Sequence, residues 1–213
     1  MGILHSGPFG GISGKTGPLV GRRQKHKNVI TGLHHWVNRN ATAEQMVYQA
    51  KLRLLMSFLT PITPLINIGF RGFRKGNTAI NAAFRFNFDR VFSDQGSQPH
   101  LKYEALVYSR GNIYGPLLPS VEPASGGLLF SWKDEPSNPY CYREDSGTFV
   151  VYNAKRNVFE TRVSAARRGD LSYLFEIPAS FSGEDLHCYM NFNDLFNNIT
   201  GTSFYVGSIT ENV

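Results

Sequence analysis

The chain has 213 residues, 41% of them hydrophobic and 13% aromatic, which supplies a packed core and excludes a wholly disordered chain. No stretch approaches the roughly 20 apolar residues that a membrane span needs, and two cysteines, Cys141 and Cys188, are too few for a disulfide scaffold. The formal net charge of +6 is segregated: up to Arg90 thirteen lysines and arginines face two acids, Glu44 and Asp89, a net +11, while the remainder carries nine bases against fourteen acids, a net −5.

Residues 2 to 21 hold seven glycines with Pro8 and Pro18, a composition that resists helix and long strand. An extended arm that orders against something else is expected there. The start, Met1-Gly2-Ile3-Leu4-His5, lacks a basic segment followed by an apolar run, so cytoplasmic synthesis without a cleaved signal is expected, with both thiols reduced. Arg22-Arg23-Gln24-Lys25-His26-Lys27 follows as a basic cluster, and Val29-Ile30 fits a brief strand.

Thr42, with Gln45 three residues on, predicts a helix start. Val47, Ala50, Leu54, Leu55 and Phe58 then recur at helical spacing as an apolar face, and Pro61 and Pro64 end the helix. Phe70-Arg71-Gly72-Phe73-Arg74-Lys75-Gly76 reads as a loop. A second helix starts near Asn77 or Thr78, with Ile80, Ala83, Phe84 and Phe88 on one face.

From about residue 100 the period becomes alternating. Strands are expected at 103–107, 128–132, 149–152, 158–163, 171–177, 186–192 and 204–208, where Leu186, Cys188, Met190 and Phe192, for example, share a face. His187, between two of these, should face solvent or a turn. Seven short strands separated by turn residues are the pattern of an antiparallel β-sandwich, immunoglobulin-like or fibronectin-like in architecture; a barrel also fits.

Gly11-Ile12-Ser13-Gly14-Lys15-Thr16 imitates a phosphate-binding loop, but the glycine that loop needs five residues before Gly14 is Phe9. Met1-Gly2 with Ser6 spells a minimal myristoylation pattern and fits a structural arm better. The six histidines show no metal-binding spacing, and adjacent acids such as Asp134-Glu135 and Glu184-Asp185 sit in turn-like segments as solvated or turn-forming groups. No catalytic residue, cofactor or metal site is expected.

Phe70 to Gly76 interleaves aromatic and basic residues, as single-strand-binding surfaces do. The same spacing fits a surface loop that anchors Phe70 and Phe73 in the core while its cations stay wet. The candidate residues for nucleic acid or an acidic partner are therefore Lys15, Arg22, Arg23, Lys25, Lys27, Arg71, Arg74 and Lys75.

Gly11 to Gly17, Pro64-Leu65-Ile66-Asn67-Ile68-Gly69-Phe70, Thr78 to Ala83, Ser109-Arg110-Gly111, Val151-Tyr152-Asn153 and Tyr205-Val206-Gly207 follow one another in a distinctive order. In that order the chain resembles a family of Bacteroidota proteins with a domain of unknown function, over nearly its whole length. The resemblance implies bacterial or phage origin and a shared organisation, with no activity attached. Arg22-Arg23-Gln24-Lys25 stands where such proteins continue with aromatic residues.

The expected organisation is a glycine-rich basic arm (1–40), a helical segment (41–98) and a β-sandwich (99–213). It suits a non-enzymatic, self-associating assembly protein, a multi-copy virion or particle component whose arm contacts neighbouring subunits or nucleic acid. The alternatives are a monomeric nucleic-acid-binding module and a ligand-binding sandwich with loops around Tyr140, Tyr142 and Arg143.

Overall fold

The computed structural model describes residues 3–4, 11–24, 27–34, 40–92, 99–181 and 183–210. The chain divides into two units, Met1–Thr42 and Ala43–Val213. The described residues are mainly β, with antiparallel sheets and three α-helices.

The first unit is a four-stranded antiparallel sheet of β1 (Ile3–Leu4), β2 (Ile12–Thr16), β3 (Leu19–Gln24) and β4 (Lys27–Gly32), in chain order. Within the stretch expected as an extended arm, residues 12–24 form strands β2 and β3, and the brief strand expected at Val29-Ile30 lies in β4. Glycine is used here for two physical reasons. Gly17 turns the β2–β3 hairpin at φ 56°, and Gly21 lets two strands approach, since a β-carbon on it would lie 2.1 Å from the Ile12 carbonyl oxygen. In β2 to β4 only Gly21 is buried.

In the second unit α1 (Ala43–Leu59) buries Leu55, Phe58 and Leu59. Val47 and Leu54, expected on the core face, are exposed, because the fully buried face of the helix is made by Leu55, Phe58 and Leu59. Pro61 does end α1. Pro64, however, occupies the first turn of a further helix, α2 (Thr63–Gly69), where its missing amide would have had no partner, and α2 leaves α1 at 87°. Phe70 is buried at the end of α2 and Phe73 is half-buried on a short 3₁₀ turn. Helix α3 (Ala79–Phe88) begins at Thr78, whose hydroxyl accepts the Asn81 amide at 3.3 Å. Among the described residues no single helix is long and apolar enough to cross a membrane.

Eight strands follow: β5 (Leu117–Ala124), β6 (Gly127–Lys133), β7 (Ser146–Asn153), β8 (Val158–Arg167), β9 (Ser172–Glu176), β10 (Asp185–Asp194), β11 (Ile199–Thr200) and β12 (Phe204–Thr210). One sheet runs β11-β10-β7-β8, with β12 also paired to β10, and a smaller one runs β5-β6-β9. Two cores result. Val150, Tyr152 and Tyr189 project from the larger sheet to meet Leu55, Phe58 and Leu59 of the helices. Phe149, Val151, Cys188, Met190 and Phe192 meet Phe130, Trp132 and Phe175 of the smaller sheet. All eight residues of β7 are buried, because its alternate side chains serve different cores.

Residues 103–107, expected as a strand, form a 3₁₀ turn (Tyr103–Ala105) and an irregular segment. The buried Asn87 side chain explains the difference: its Oδ1 accepts the Val107 amide and its Nδ2 donates to the Val107 carbonyl, both at 2.8 Å. One side-chain amide replaces a neighbouring strand.

Candidate functional site

Five cations line one cavity of about 570 Å³ beside α3. Arg74 and Lys75 come from the turn after α2, Arg85 from α3, Arg90 from just beyond it, and Arg110 from the segment before β5. Lys75 and Gly76 take left-handed backbone, φ 42° and 78°, which turns the chain into α3. Arg90 stands four residues after Phe86, and its guanidinium lies 4.0 Å from the centre of that ring.

Arg110 is held from several sides. Its guanidinium lies 4.3 Å from the Phe73 ring and 4.6 Å from the Phe86 ring. Its amide donates to the Gly69 carbonyl at 3.1 Å, and its carbonyl accepts the Thr200 hydroxyl at 2.9 Å. Gly69 permits this approach, since a β-carbon there would sit 2.5 Å from Ser109 Cα. The Gly69 and Ser109-Arg110-Gly111 motifs of the sequence therefore meet in space.

No carboxylate lines the cavity among the described residues, and none forms an ion pair with its five cations. Asp89 lies in the adjoining hollow with Tyr48, Phe84 and Phe88. Unpaired cations concentrated in a concavity raise the local anion concentration. Arg90 Nη1 donates to the Phe86 carbonyl and Arg74 Nη2 to the Asn67 carbonyl at 3.2 Å, and planar guanidinium groups of this kind suit phosphate or carboxylate oxygens.

Of the residues predicted from sequence, Arg74 and Lys75 belong to this cavity, and Arg71 is exposed on the adjacent turn without lining it. The remainder fall in the N-terminal unit. The register pairs Lys15 with Val20, Arg22 with Val29 and Gln24 with Lys27, so Lys15, Arg22 and Lys27 share one face of that sheet and Arg23 takes the other. All four are exposed; Lys25 lies outside the described residues.

Arg85, Arg90 and Arg110 also line the cavity, though they were not among the residues expected from the sequence. The Phe86–Arg90 spacing was available as a signal, whereas Arg110 reaches the cavity only through the contact of Gly69 with Ser109.

The buried charges elsewhere are committed to structure. Arg168 donates to Asp145 at 3.1 Å, to Glu135 at 3.4 Å, and to the carbonyls of Gly115 and Tyr114 at 3.2 and 2.7 Å. Glu135 thus binds a buried arginine, and Asp134 pairs with Arg143 at 3.1 Å, so these turn acids are engaged instead of merely solvated. His187, expected at the surface, is half-buried with its ring stacked 4.1 Å from Tyr103 and its Nδ1 3.1 Å from the Tyr205 hydroxyl. Burial lowers its pKa, against the smaller opposing effects of Asp185 and Glu104. Cys141 and Cys188 are buried free thiols. Among the described residues no group of three His, Cys, Asp or Glu could hold a metal ion.

No curated protein significantly matches the chain. Residues 11–207 match the model of DUF6266, a family of unknown function, and the chain belongs to that family.

Proposed function

We propose that the protein is a non-enzymatic nucleic-acid-binding protein, and that a single-stranded phosphate backbone runs through the cationic cavity beside α3. One observation carries this reading: among the described residues five cations converge on one cavity with Phe70, Phe73 and Phe86 and with no carboxylate in the lining. Cations that track phosphates are the sequence-tolerant element of single-strand binding, and the Phe73 and Phe86 rings hold Arg90 and Arg110 in place for it. The non-enzymatic part is supported by the engagement of Asp145 and Glu184 with arginines.

The test is anisotropy of labelled oligo-dT and oligo-U over a salt series. Log affinity should fall linearly with log salt. Replacing Arg74, Arg85 and Arg90 together by Ala should reduce the slope by roughly 2 to 3 units, at about 0.7 to 0.9 per lost phosphate contact. An unchanged slope in the folded triple variant would rule the cavity out.

A second reading, a self-associating multi-copy assembly protein, is favoured by the N-terminal sheet. A sheet in which only Gly21 of β2 to β4 is buried gains little from burial and is suited to being completed by a partner. Sedimentation of the full-length, nuclease-treated protein tests this: a discrete large species supports it, and a monomer at every concentration removes it.

A further inference from the structure

Among the described residues the larger sheet ends on β8, which is paired on one side only, to β7. Its neighbour β7 is entirely buried, whereas none of the ten residues of β8 is. Val158 and Val163 are 40% and 51% exposed. The regular part of this edge stops at Ser164, whose φ of 55° coincides with an irregularity in the β7–β8 register. A six-residue edge, 158–163, is left available. Such edges are templates for another strand.

We propose that this edge is the contact between two copies of the chain, which pair antiparallel through β8 about a two-fold axis at Thr161. The proposal rests on the reading that copies of this protein meet in solution, and it gives that contact a surface and a register. The sequence of the strand is self-complementary about this point. Glu160 and Arg162 lie on one face and flank Thr161. With Thr161 opposite its counterpart, each Glu160 stands across from the second copy's Arg162, and each Phe159 across from the second copy's Val163.

Sliding the pairing by two residues either way puts Glu160 opposite Glu160 or Arg162 opposite Arg162, both repulsive. A slide of one would move every side chain to the wrong face. In the isolated chain Arg162 Nη1 lies 3.3 Å from Glu160 Oε2 and donates to the Thr161 carbonyl at 3.1 Å. The charges that would pair across the axis already satisfy each other within one copy, so little new desolvation is needed. On the helix side of the edge a groove of about 400 Å³ runs between Pro61, Ile62 and Pro64 and the side chains of Phe159 and Val163. The two-fold axis brings the two grooves side by side and covers the exposed Val163.

Sedimentation velocity on the full-length, nuclease-treated protein, with a charge-reversal cycle, tests the pairing. Wild type should self-associate. Glu160→Arg and Arg162→Glu should each weaken association about tenfold or more, and the double variant, which restores opposite charges, should regain it. Thermal unfolding establishes that each variant is folded. As a measurement independent of charge, Thr161→Cys should form a disulfide-linked dimer on mild oxidation, because the axis brings the two Cα atoms within bridging distance.

A wild-type monomer at all concentrations overturns both this pairing and the assembly reading. Wild-type assembly that the reversals and Thr161→Cys leave untouched overturns the β8 edge alone. Loss of association without rescue by the double variant overturns the register.

Discussion

Arg168 Nε donates to Asp145 Oδ2 at 3.1 Å, and the two side chains are 3% and 2% exposed. The guanidinium also lies 4.1 Å from the centre of the Phe192 ring, and the Trp132 indole donates to the Arg168 carbonyl at 2.7 Å. Charge, ring and backbone are thus joined at one end of the core between the two larger-unit sheets. Arg168→Ala should cost about 3–5 kcal/mol, because it strands Asp145 as an unpaired buried charge. Arg168→Met with Asp145→Asn should cost less than the single change. Urea unfolding midpoints at constant slope measure the difference.

Gly69→Ala tests how the cationic cavity is held. The added methyl would sit 2.5 Å from Ser109 Cα, so the segment carrying Arg110 must move. A destabilisation of about 1–3 kcal/mol is expected, together with weaker oligonucleotide binding. Loss of stability with unchanged binding would separate Arg110 from the polyanion contact.

Glu184 gives a pH signature. Hydrogen bonding from Arg156, at 2.7 Å, and from Asn153 holds its carboxyl down to about 2, well below the ordinary 4.5, against the opposing effect of burial. The folded state therefore binds this proton more weakly than the unfolded state. Its stabilising contribution is complete above about 4.5 and is lost as the pH falls towards about 2. Glu184→Gln should flatten the stability curve in that window, read from urea midpoints at a series of pH values.

The thiols should be silent in the native state. Cys188 is buried in the sheet and its thiol is pushed up to about 12; burial also raises Cys141. Neither should react with a thiol reagent near neutral pH until denaturant is added, when both should. Native-state labelling of one cysteine would report a local opening of the strand or turn that carries it.

The legible parts of the fold were those where one residue pattern dictated one environment. Leu186, Cys188, Met190 and Phe192 alternate in sequence and share a core in the structure. The second helix, expected to start near Asn77 or Thr78, starts at Ala79 directly after Thr78. The hidden parts depended on distant partners or on proline in tolerated places. Strand β5 contains Pro119 and Pro123 yet is a strand, because it lies at a sheet edge. Residues 103–107 alternate like a strand but find their partner in Asn87. For the candidate site, the local stretch Arg74-Lys75 was readable, while Arg110 belongs to it only through tertiary contact.

Strand β7 divides its side chains between two cores, with Val150 and Tyr152 on one side and Phe149 and Val151 on the other. Inserting or deleting a single residue within 146–153 would exchange these sets, sending each side chain beyond the change into the wrong core. The strand therefore has a fixed reading frame. Gains and losses of residues among members of this family should collect in the connections at 134–145 and 154–157, leaving the eight positions between them constant in number.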